Sequence, residues 1–381
     1  MDFDFTSDQV MLRNSVREYL SEKAPTTFVR KMFDEPTGFS KPMWKEMAGL
    51  GWLGLTFPEE NDGLGLGMLE LAAVLEEMGR AVFPGPYFAS VLLAGEALKR
   101  AGDKAQKDKY LGGIASGQVV ASMGLLEEAL NWGPEGVQLR AEPGGGGFVL
   151  NGVKRFVPFA EAADVVLVPA RTAANDDPGK GISLFLVDTK AKGVGVSPMT
   201  NIDLTSKQSE LRLNNVMVPE EAVVGDIDGA WPVVQDVLQR AAVGASAEML
   251  GCARKSMEMS VEYAKVREAF GQPIGTFQAI KHKTADMLVD VEQSHSAVYY
   301  AAWAQDANAP DAALAASVAK AFVGDAARKV CGEAIQVHGG IGFTWEFDLH
   351  LWFKRAKYYE PMFGDVEYHR EQALRHLTGQ V

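Results

Sequence analysis

Residues 263–278 read YAKVREAFGQPIGTFQ, and this stretch joins two long segments that share a helical pattern. Over residues 234–249, apolar side chains recur at three- and four-residue spacing, which predicts one face of a helix that continues past Lys265. The same spacing over residues 277–291 predicts a second helix. Gly271 stands between the two patterns, where a glycine commonly ends a helix. The stretch therefore predicts two long helices joined by a tight turn.

A third helical pattern covers the alanine-rich segment from about residue 311 to residue 337, so residues 227–381 are predicted to form a C-terminal four-helix bundle. Residues 1–118 also read as helices. Between them, residues 119–226 contain short runs rich in β-branched residues, separated by turn signals, which predict an antiparallel β-barrel. The predicted fold class is therefore α+β, with an N-terminal helical domain, a middle β-barrel domain and a C-terminal helical bundle.

The composition argues against several classes of protein. The 381 residues carry a formal net charge of −13, which disfavours non-specific binding to nucleic acid or to an anionic membrane. No apolar run approaches the roughly 18 residues of a membrane-spanning helix. Cys252 and Cys331 cannot form a disulfide framework and are predicted to be buried thiols, and the histidines show no metal-ligand spacing. The N-terminus, MDFDFTSDQV, lacks the features of a signal peptide, and we expect a cytoplasmic protein without a metal site.

Two C-terminal stretches carry residues suited to binding a ligand. In the first, Arg267 and Phe270 follow the long helix, and arginine suits a phosphate as phenylalanine suits an aromatic ring. The same residues also fit an ordinary helix C-terminus with a favourable cation and a glycine cap. In the second, residues 336–346 (QVHGGIGFTWE), three glycines let the backbone approach a ligand closely. The alternative there is a flexible connection between helices.

Four stretches, in order along the chain, resemble signatures of the acyl-CoA dehydrogenase family, and the likeness covers nearly the whole sequence. They are residues 3–20 (FDFTSDQVMLRNSVREYL), 57–81 (FPEENDGLGLGMLELAAVLEEMGRA), 267–278 (REAFGQPIGTFQ) and 336–357 (QVHGGIGFTWEFDLHLWFKRAK). The resemblance implies an oxidoreductase of fatty acid metabolism that binds FAD at a subunit interface, usually as a tetramer. It further implies an acyl-CoA substrate and an electron-transfer flavoprotein as electron acceptor.

The resemblance also assigns roles to residues. The family's reaction removes the α-proton of an acyl-CoA thioester with a positioned carboxylate, while a β-hydride passes to the flavin. Matching the motifs position by position, the residues that would reach the FAD of a neighbouring subunit are Arg267, Phe270, Gln278, Gln336, Gly339 and Gly340. The first three would hold the pyrophosphate and adenine side, and the last three would supply a close backbone approach.

The sequence departs from the family pattern at the catalytic base. In the common form the base is a glutamate just before a glycine that follows an AK pair, and that position reads Phe363 here. Other relatives carry the base on the long helix before an arginine, and here Gln239 precedes Arg240. Neither side chain can accept a proton. Glu360 and Asp365 lie nearby and are candidate bases, although both also fit an acidic start to the last helix.

The middle domain departs from the family pattern as well. The family's TEPGAGSD-like segment, which lines the flavin and the thioester, appears here as LEEALNWG at residues 126–133. The family's W-I-T/S triplet, whose hydroxyl faces the flavin, reads Phe156-Val157-Pro158. A proline offers neither a hydroxyl nor a backbone N–H. The positions that face the flavin ring are therefore altered, while those that would hold the far end of FAD are kept.

These departures lead to a hypothesis with three alternatives. We expect one subunit of a heteromeric acyl-CoA dehydrogenase that lends residues to an FAD seated mainly in a partner chain, and the partner carries the base. The first alternative is a self-sufficient homotetramer in which Asp365 or Glu360 acts as a relocated base. The second is a flavin oxidase or monooxygenase, and the third is a homologue that binds CoA esters without turnover.

Overall fold

The computed structural model describes residues 5–379, so Phe3 and Asp4 of the first family-like stretch lie outside the described residues. The two long helices and the third helix predicted from periodicity are confirmed. The α-helices are α1 (Ser7–Lys23), α2 (Thr26–Lys31), α3 (Lys41–Gly49), α4 (Met68–Arg80), α5 (Glu96–Ala101), α6 (Lys104–Gln106), α7 (Gly112–Ala115), α8 (Trp231–Val266), α9 (Gln278–Asp306), α10 (Ala312–His338), α11 (His350–Tyr359) and α12 (Val366–Thr378). The stretch Phe88–Gly95 leads into α5 as a π-helix.

The middle of the chain forms one large sheet, and a small two-stranded ribbon lies between α8 and α9. The strands are β1 (Ala121–Met123), β2 (Arg140–Gly144), β3 (Gly147–Pro158), β4 (Val165–Arg171), β5 (Ile182–Asp188), β6 (Val194–Met199), β7 (Gln208–Pro219), β8 (Val223–Val224), β9 (Glu268–Ala269) and β10 (Gln272–Pro273). The sheet follows the order β6-β7-β3-β2-β4-β5-β8, and β1 pairs with β4. This hydrogen-bonding order is an open path, and it does not by itself close a barrel.

The sheet is mixed, whereas the sequence predicted an antiparallel one. Strand β1 runs parallel to β4, and Arg140 of β2 pairs in parallel with Arg171 of β4. A parallel pair cannot be joined by a tight hairpin and requires a long connection. Here some 40 residues separate β1 from β4, so hairpin signals in the sequence give no indication of this pairing.

The chain divides into two compact units, which we call the helical unit and the sheet unit. The helical unit contains Met1–Lys31, Met68–Phe83 and Ala242–Val381, and the sheet unit contains Met32–Gly67 and Pro84–Ala241. The N-terminal helices are thus divided between the two units. The domain bounds drawn from the sequence, at residues 118/119 and 226/227, remain predictions.

Helices α4 and α8 pack closely within the helical unit because two glycines face the partner backbone. A Cβ added at Gly251 would lie 2.0 Å from the carbonyl oxygen of Glu76, and one at Gly79 would lie 2.0 Å from that of Glu248. These distances are far below van der Waals contact, so any larger residue would force the helices apart. The crossing fixes where the inward-facing residues of α8 lie.

Both cysteines are buried thiols, as predicted. Burial raises the pKa of Cys331 to about 12, so its thiol stays protonated and unreactive at neutral pH. Within residues 5–379, no helix has the length and apolar character needed to cross a membrane. The same part of the chain holds no group of three or more metal-ligating side chains.

Candidate functional site

The end of α8 presents Arg267 and Phe270 to solvent. The Arg267 N–H donates to the carbonyl of Tyr263, and the Arg267 carbonyl accepts from the N–H of Ile274, both at 2.8 Å. The turn between β9 and β10 is made by Phe270 (φ +54°) and Gly271 (φ +78°), both in the left-handed region. As a result, 96% of the Phe270 surface is exposed. The exposed Arg267 side chain makes no hydrogen bond or ion pair with the described residues.

Gln278 begins α9 on the far side of the same turn and is exposed. The ring of Phe277, the residue before it, meets the ring of Phe270 edge-on, with 6.1 Å between centroids. This aromatic contact steadies a two-residue ribbon that would otherwise be held by very few backbone bonds. The turn therefore holds a cation, an aromatic ring and an amide side chain at one end of α8 and α9.

The glycines after α10 form an open stretch of backbone. Gly339 has φ +65° and ψ −141°, a conformation that a residue with a Cβ rarely adopts. A Cβ added at Gly339 or Gly340 would meet no atom within 4 Å. Gln336 is also exposed, on the last turn of the helix. The backbone here can therefore be approached closely by a second molecule.

The structure brings the two stretches together through a stacked pair of rings. Tyr263, one turn before Arg267, stacks on His338, the residue before Gly339, with centroids 4.4 Å apart and an angle of 25°. The His338 Nδ1 lies 2.8 Å from the carbonyl oxygen of Ala334, and burial lowers the pKa of His338. We call the exposed residues around this pair the open cradle. The cradle is Arg267, Phe270, Gln278, Gln336, Gly339 and Gly340.

Residues 360–364 form the turn that corresponds to the position of the family's base, and we call it the locked turn. Buried donors bind to its backbone carbonyls. The Lys320 ammonium donates to the carbonyls of Glu360 (2.8 Å) and Gly364 (2.7 Å). The His369 Nε2 lies 2.9 Å from the carbonyl oxygen of Phe363. Burial lowers the pKa of Lys320 to about 7, and burial together with the charge of Lys320 lowers the pKa of His369 to about 4.

Phe363 occupies this locked turn with only 3% of its surface exposed. Its φ is +62°, and Gly364 follows at φ +99°, so two consecutive residues adopt left-handed backbone angles. A Cβ at Gly364 would lie 2.3 Å from the ring of Tyr368. The turn is therefore determined by packing as well as by hydrogen bonds, and the position carries a phenyl ring that cannot hold a proton.

The two nearby carboxylates have partners of their own. Asp365 is the N-cap of α12, and its side chain accepts the Tyr368 N–H at 2.8 Å. Glu360 pairs with Lys357 and lies 3.6 Å from the Nε of Arg328. Asp365 therefore acts as an acidic cap at the start of the last helix, which is the alternative role that the sequence indicated for it.

A buried ion pair near the same turn was not predicted from the sequence. Arg355 on α11 donates from Nη1 to Glu248 on α8 at 2.9 Å and from Nη2 to the carbonyl of Phe83 at 3.1 Å. The side chains of the pair are 2% and 5% exposed. The Tyr359 hydroxyl donates to the other oxygen of Glu248 at 3.4 Å. The available signal was a glutamate within the apolar face of α8.

In the sheet unit, the second possible base position also lacks a proton acceptor. Gln239 is half-buried on the first part of α8. Arg240, the residue after it, is 9% exposed and donates from Nε to Asp236 at 3.2 Å. Glu96 lies 3.8 Å from the same nitrogen. The arginine therefore belongs to a structural charge cluster, and the residue before it is an amide.

In the segment at residues 126–133, the carboxylate of Glu127 is buried and accepts hydrogen bonds from other groups of the same unit. Glu127 accepts from the backbone N–H groups of Gln138 and Leu139 and from the ammonium of Lys154, which lies 2.7 Å away. Burial lowers the pKa of Lys154, and the adjacent Glu127 opposes that shift. All four polar groups are satisfied within the sheet unit, so Glu127 is a structural anchor of β3.

The residues at 156–158 lie at an irregularity of β3. The pairing with β7 shifts register between Lys154 and Val157, and Phe156 has φ +55°. The carbonyl of the buried Pro158 accepts the hydroxyl of Ser122 at 2.5 Å. With neither an N–H nor a side-chain hydroxyl, Pro158 has no hydrogen-bond donor to offer a ligand.

Helical, sheet and helical segments follow one another along the chain, and this order matches a class of flavin-dependent oxidoreductases. Models of the N-terminal, middle and C-terminal domains of acyl-CoA dehydrogenases match residues 6–118, 134–216 and 228–378. The chain belongs to the acyl-CoA dehydrogenase family, whose members are FAD-dependent oxidoreductases acting on CH–CH groups.

Individual proteins similar to this chain span its full length. It is 33% identical to a probable acyl-CoA dehydrogenase, YngJ, of Bacillus subtilis, over 99% of this chain and 100% of that one. It is 28% identical to CarC, a subunit of the caffeyl-CoA reductase–Etf complex of Acetobacterium woodii, over 93% of each chain. The ChsE4–ChsE5 complex of Mycobacterium tuberculosis contains a chain with a TM-score of 0.89 and 28% identity, with 99% of both chains covered.

Proposed function

We propose that this chain is one subunit of a heteromeric, FAD-dependent acyl-CoA dehydrogenase whose partner chain supplies the catalytic base. One observation carries this proposal. The turn where relatives keep the base carries Phe363, and buried bonds from Lys320 and His369 hold that turn in place. A misplacement of about 1 Å can cost on the order of 100-fold in rate, so a carboxylate two or three residues away does not inherit the role.

The open cradle is this subunit's contribution to catalysis. Arg267 would pair with the pyrophosphate of FAD, since its guanidinium is exposed and fits two phosphate oxygens at once. Phe270 would lie against the adenine, and Gly339 and Gly340 would let backbone amides approach the phosphates. When bound, FAD supplies the acceptor for the hydride that leaves the β-carbon of the acyl group. This chain's residues bind and orient that group.

Two similar proteins support a multi-component assembly. One of the similar structures, which covers 99% of this chain, is of a complex with two named components, ChsE4 and ChsE5. CarC is named as a subunit of a complex with Etf. We infer an acyl-CoA substrate, an electron-transfer flavoprotein as acceptor and a tetramer that contains this chain. A role in fatty acid metabolism and a cytoplasmic location belong to the same proposal.

Expression with and without a second chain tests the proposal. Alone, the protein should purify as an oligomer that is colourless or weakly flavinated and does not oxidise acyl-CoA. Co-expressed with a family member that carries the base, it should yield a yellow assembly whose flavin is bleached anaerobically by an acyl-CoA. A fully yellow homo-oligomer that oxidises acyl-CoA unaided would overturn the proposal.

A pair of isosteric variants separates this proposal from a homotetramer with a relocated base. Asp365→Asn keeps the cap of α12, because asparagine caps a helix as well as aspartate, but it cannot take a proton. Glu360→Gln likewise removes a proton acceptor without changing size. If the protein alone bleaches flavin with an acyl-CoA and either variant abolishes that reaction, the relocated base is correct and the shared site is wrong.

A further inference from the structure

A cleft in the helical unit lies outside the open cradle and the locked turn. It has a volume of about 300 Å³ and is lined by residues of α1, α2, α4, α8 and α11. That is the lower end of the size range of small-molecule pockets. It holds three cationic side chains in a protein whose overall charge is −13. A cationic cleft in an acidic protein calls for a chemical explanation.

Two of the three cations are already neutralised. Arg17 binds Glu77 with two parallel bonds, Nε to Oε2 at 2.9 Å and Nη2 to Oε1 at 2.5 Å. Arg80 binds Glu258 in the same bidentate manner, with Nη1 2.7 Å from Oε1. Each carboxylate therefore has an arginine fork across both oxygens, the strongest arrangement that such a pair can form.

Lys255 is the third cation, and it differs from the two arginines because no carboxylate forms an ion pair with it among residues 5–379. Its half-buried ammonium makes no hydrogen bond or ion pair with any residue between 5 and 379. Burial is the main cause that lowers the pKa of Lys255, the neighbouring charge of Arg80 adds to it, and the nearby carboxylate of Glu258 opposes it. A partly desolvated charge without a partner is unfavourable, and an anion in the cleft would relieve that cost.

The rest of the lining suits a short organic acid. Ser21 and Thr26 line the cleft, and their hydroxyls make no side-chain hydrogen bond within the described part of the chain. Leu20 and the indole of Trp352 supply apolar walls, and the indole N–H is already used by the Arg80 carbonyl at 2.8 Å. The cleft thus offers one ammonium, two hydroxyls and an apolar surface.

We propose that this cleft binds a small monocarboxylate, with the carboxylate on Lys255 and the apolar chain against Trp352. One unpaired positive charge matches a monoanion, whereas a dianionic phosphate would bring one negative charge too many. The apolar walls match a hydrocarbon chain and would gain nothing from inorganic phosphate. The site is independent of the proposed shared catalysis, since it uses none of the residues assigned to FAD.

Calorimetric titration of the purified oligomer with hexanoate, and separately with inorganic phosphate, tests the proposal. Three proteins are compared: the natural sequence, Lys255→Met and Lys23→Met. The methionine keeps the length of the lysine stem, and Lys23 is an exposed lysine of α1 beside Glu22. Loss of one charge-assisted bond should weaken hexanoate binding about tenfold or more in Lys255→Met, and Lys23→Met should be unchanged.

The possible outcomes separate cleanly. One hexanoate per chain that is lost in Lys255→Met alone, with no binding of phosphate, supports the proposal. Hexanoate affinity unchanged in Lys255→Met would overturn it, because the acid would then be bound elsewhere, for example where an acyl group binds. Phosphate binding that depends on Lys255 without hexanoate binding would also overturn it. Thermal unfolding of both variants with the same midpoint as the natural protein confirms that the comparison is between folded chains.

Discussion

The open cradle and the locked turn lie in the same helical unit but use their polar groups in opposite ways. In the cradle, Arg267 has no partner among the described residues, and Phe270 is almost fully exposed. In the locked turn, Lys320 and His369 are buried and bonded to backbone carbonyls, and Asp365 caps a helix. Polar groups satisfied within the chain stabilise the fold, whereas polar groups left open are available to a ligand.

This contrast gives a rule that experiments can break. Substitutions around the locked turn should change the free energy of unfolding and leave flavin affinity untouched in the folded protein. Substitutions in the cradle should change flavin affinity and leave the free energy of unfolding untouched.

The largest effect is expected at the buried ion pair of Arg355 and Glu248. Arg355→Met would leave the Glu248 carboxylate buried without its cation, and breaking one partner of a buried ion pair costs about 3–5 kcal/mol. Urea unfolding followed by circular dichroism measures the loss. Arg375→Met is the control, since Arg375 forms an exposed pair with Glu371 on α12, and it should change stability by less than about 0.5 kcal/mol. Equal losses in both variants would contradict the assignment.

Acid should weaken the same region through His369. Burial and the Lys320 charge lower its folded pKa to about 4, while the unfolded chain takes up the proton near the ordinary value of 6.5. The stabilising contribution is therefore complete above pH 6.5 and is lost as the pH falls through 4, by about 3 kcal/mol in total. His369→Gln should flatten the stability profile between pH 6.5 and 4, and His376→Gln should not. A profile of the same slope in all three proteins would exclude His369 as the cause.

A substitution in the open cradle should change the affinity for FAD and leave the stability of the fold unchanged. Arg267→Gln removes a cation from the proposed pyrophosphate contact, and we expect the dissociation constant for FAD in the assembled oligomer to rise about 10- to 100-fold. The stability of the flavin-free protein should stay within about 0.5 kcal/mol, because the side chain is exposed. Recovery of flavin fluorescence on dilution measures the release. Lys265→Gln, two residues earlier, should leave FAD affinity as it is; an equal loss there would indicate general electrostatics.

The smallest effect is expected at the helix cap. Asp365→Ala removes the acceptor for the Tyr368 N–H and should cost about 1 kcal/mol of unfolding free energy. Asp365→Asn should restore most of that stability, because an amide oxygen also caps. Guanidinium unfolding of the three proteins gives the ranking. If the Asp365→Asn protein were as destabilised as the Asp365→Ala protein, the charge of Asp365 would stabilise the fold and its helix cap would contribute little.

The helical architecture could be predicted from the sequence because its signal is local. The period of 3.6 residues along α8, α9 and α10 is set by one buried face on each helix, and it can be read without knowing what covers that face. The parallel pairing of β1 with β4 could not be predicted. It joins Ala121 to Val165, and nothing in a three-residue strand specifies so distant a partner.

The candidate site was predictable to the extent that its residues are exposed or follow a motif. The phenylalanine at 363 and the glutamine at 239 can be identified from position alone. The pairing of Glu248 with Arg355 could not, since 107 residues separate them and only the packing of α8 against α11 brings them together. Lys320 gave a usable signal, because a single cation within an alanine-rich apolar face must find buried acceptors.

The outward-facing aromatic rings have a consequence for how the protein is made in the cell. Phe270 is 96% exposed and Phe343 81%, and both lie near the ends of the long helices. A newly released chain with such rings uncovered is prone to self-association. The yield of folded protein should therefore depend on how much partner chain is present to cover these rings. Balanced synthesis of the partner chains would protect the protein from aggregation and degradation.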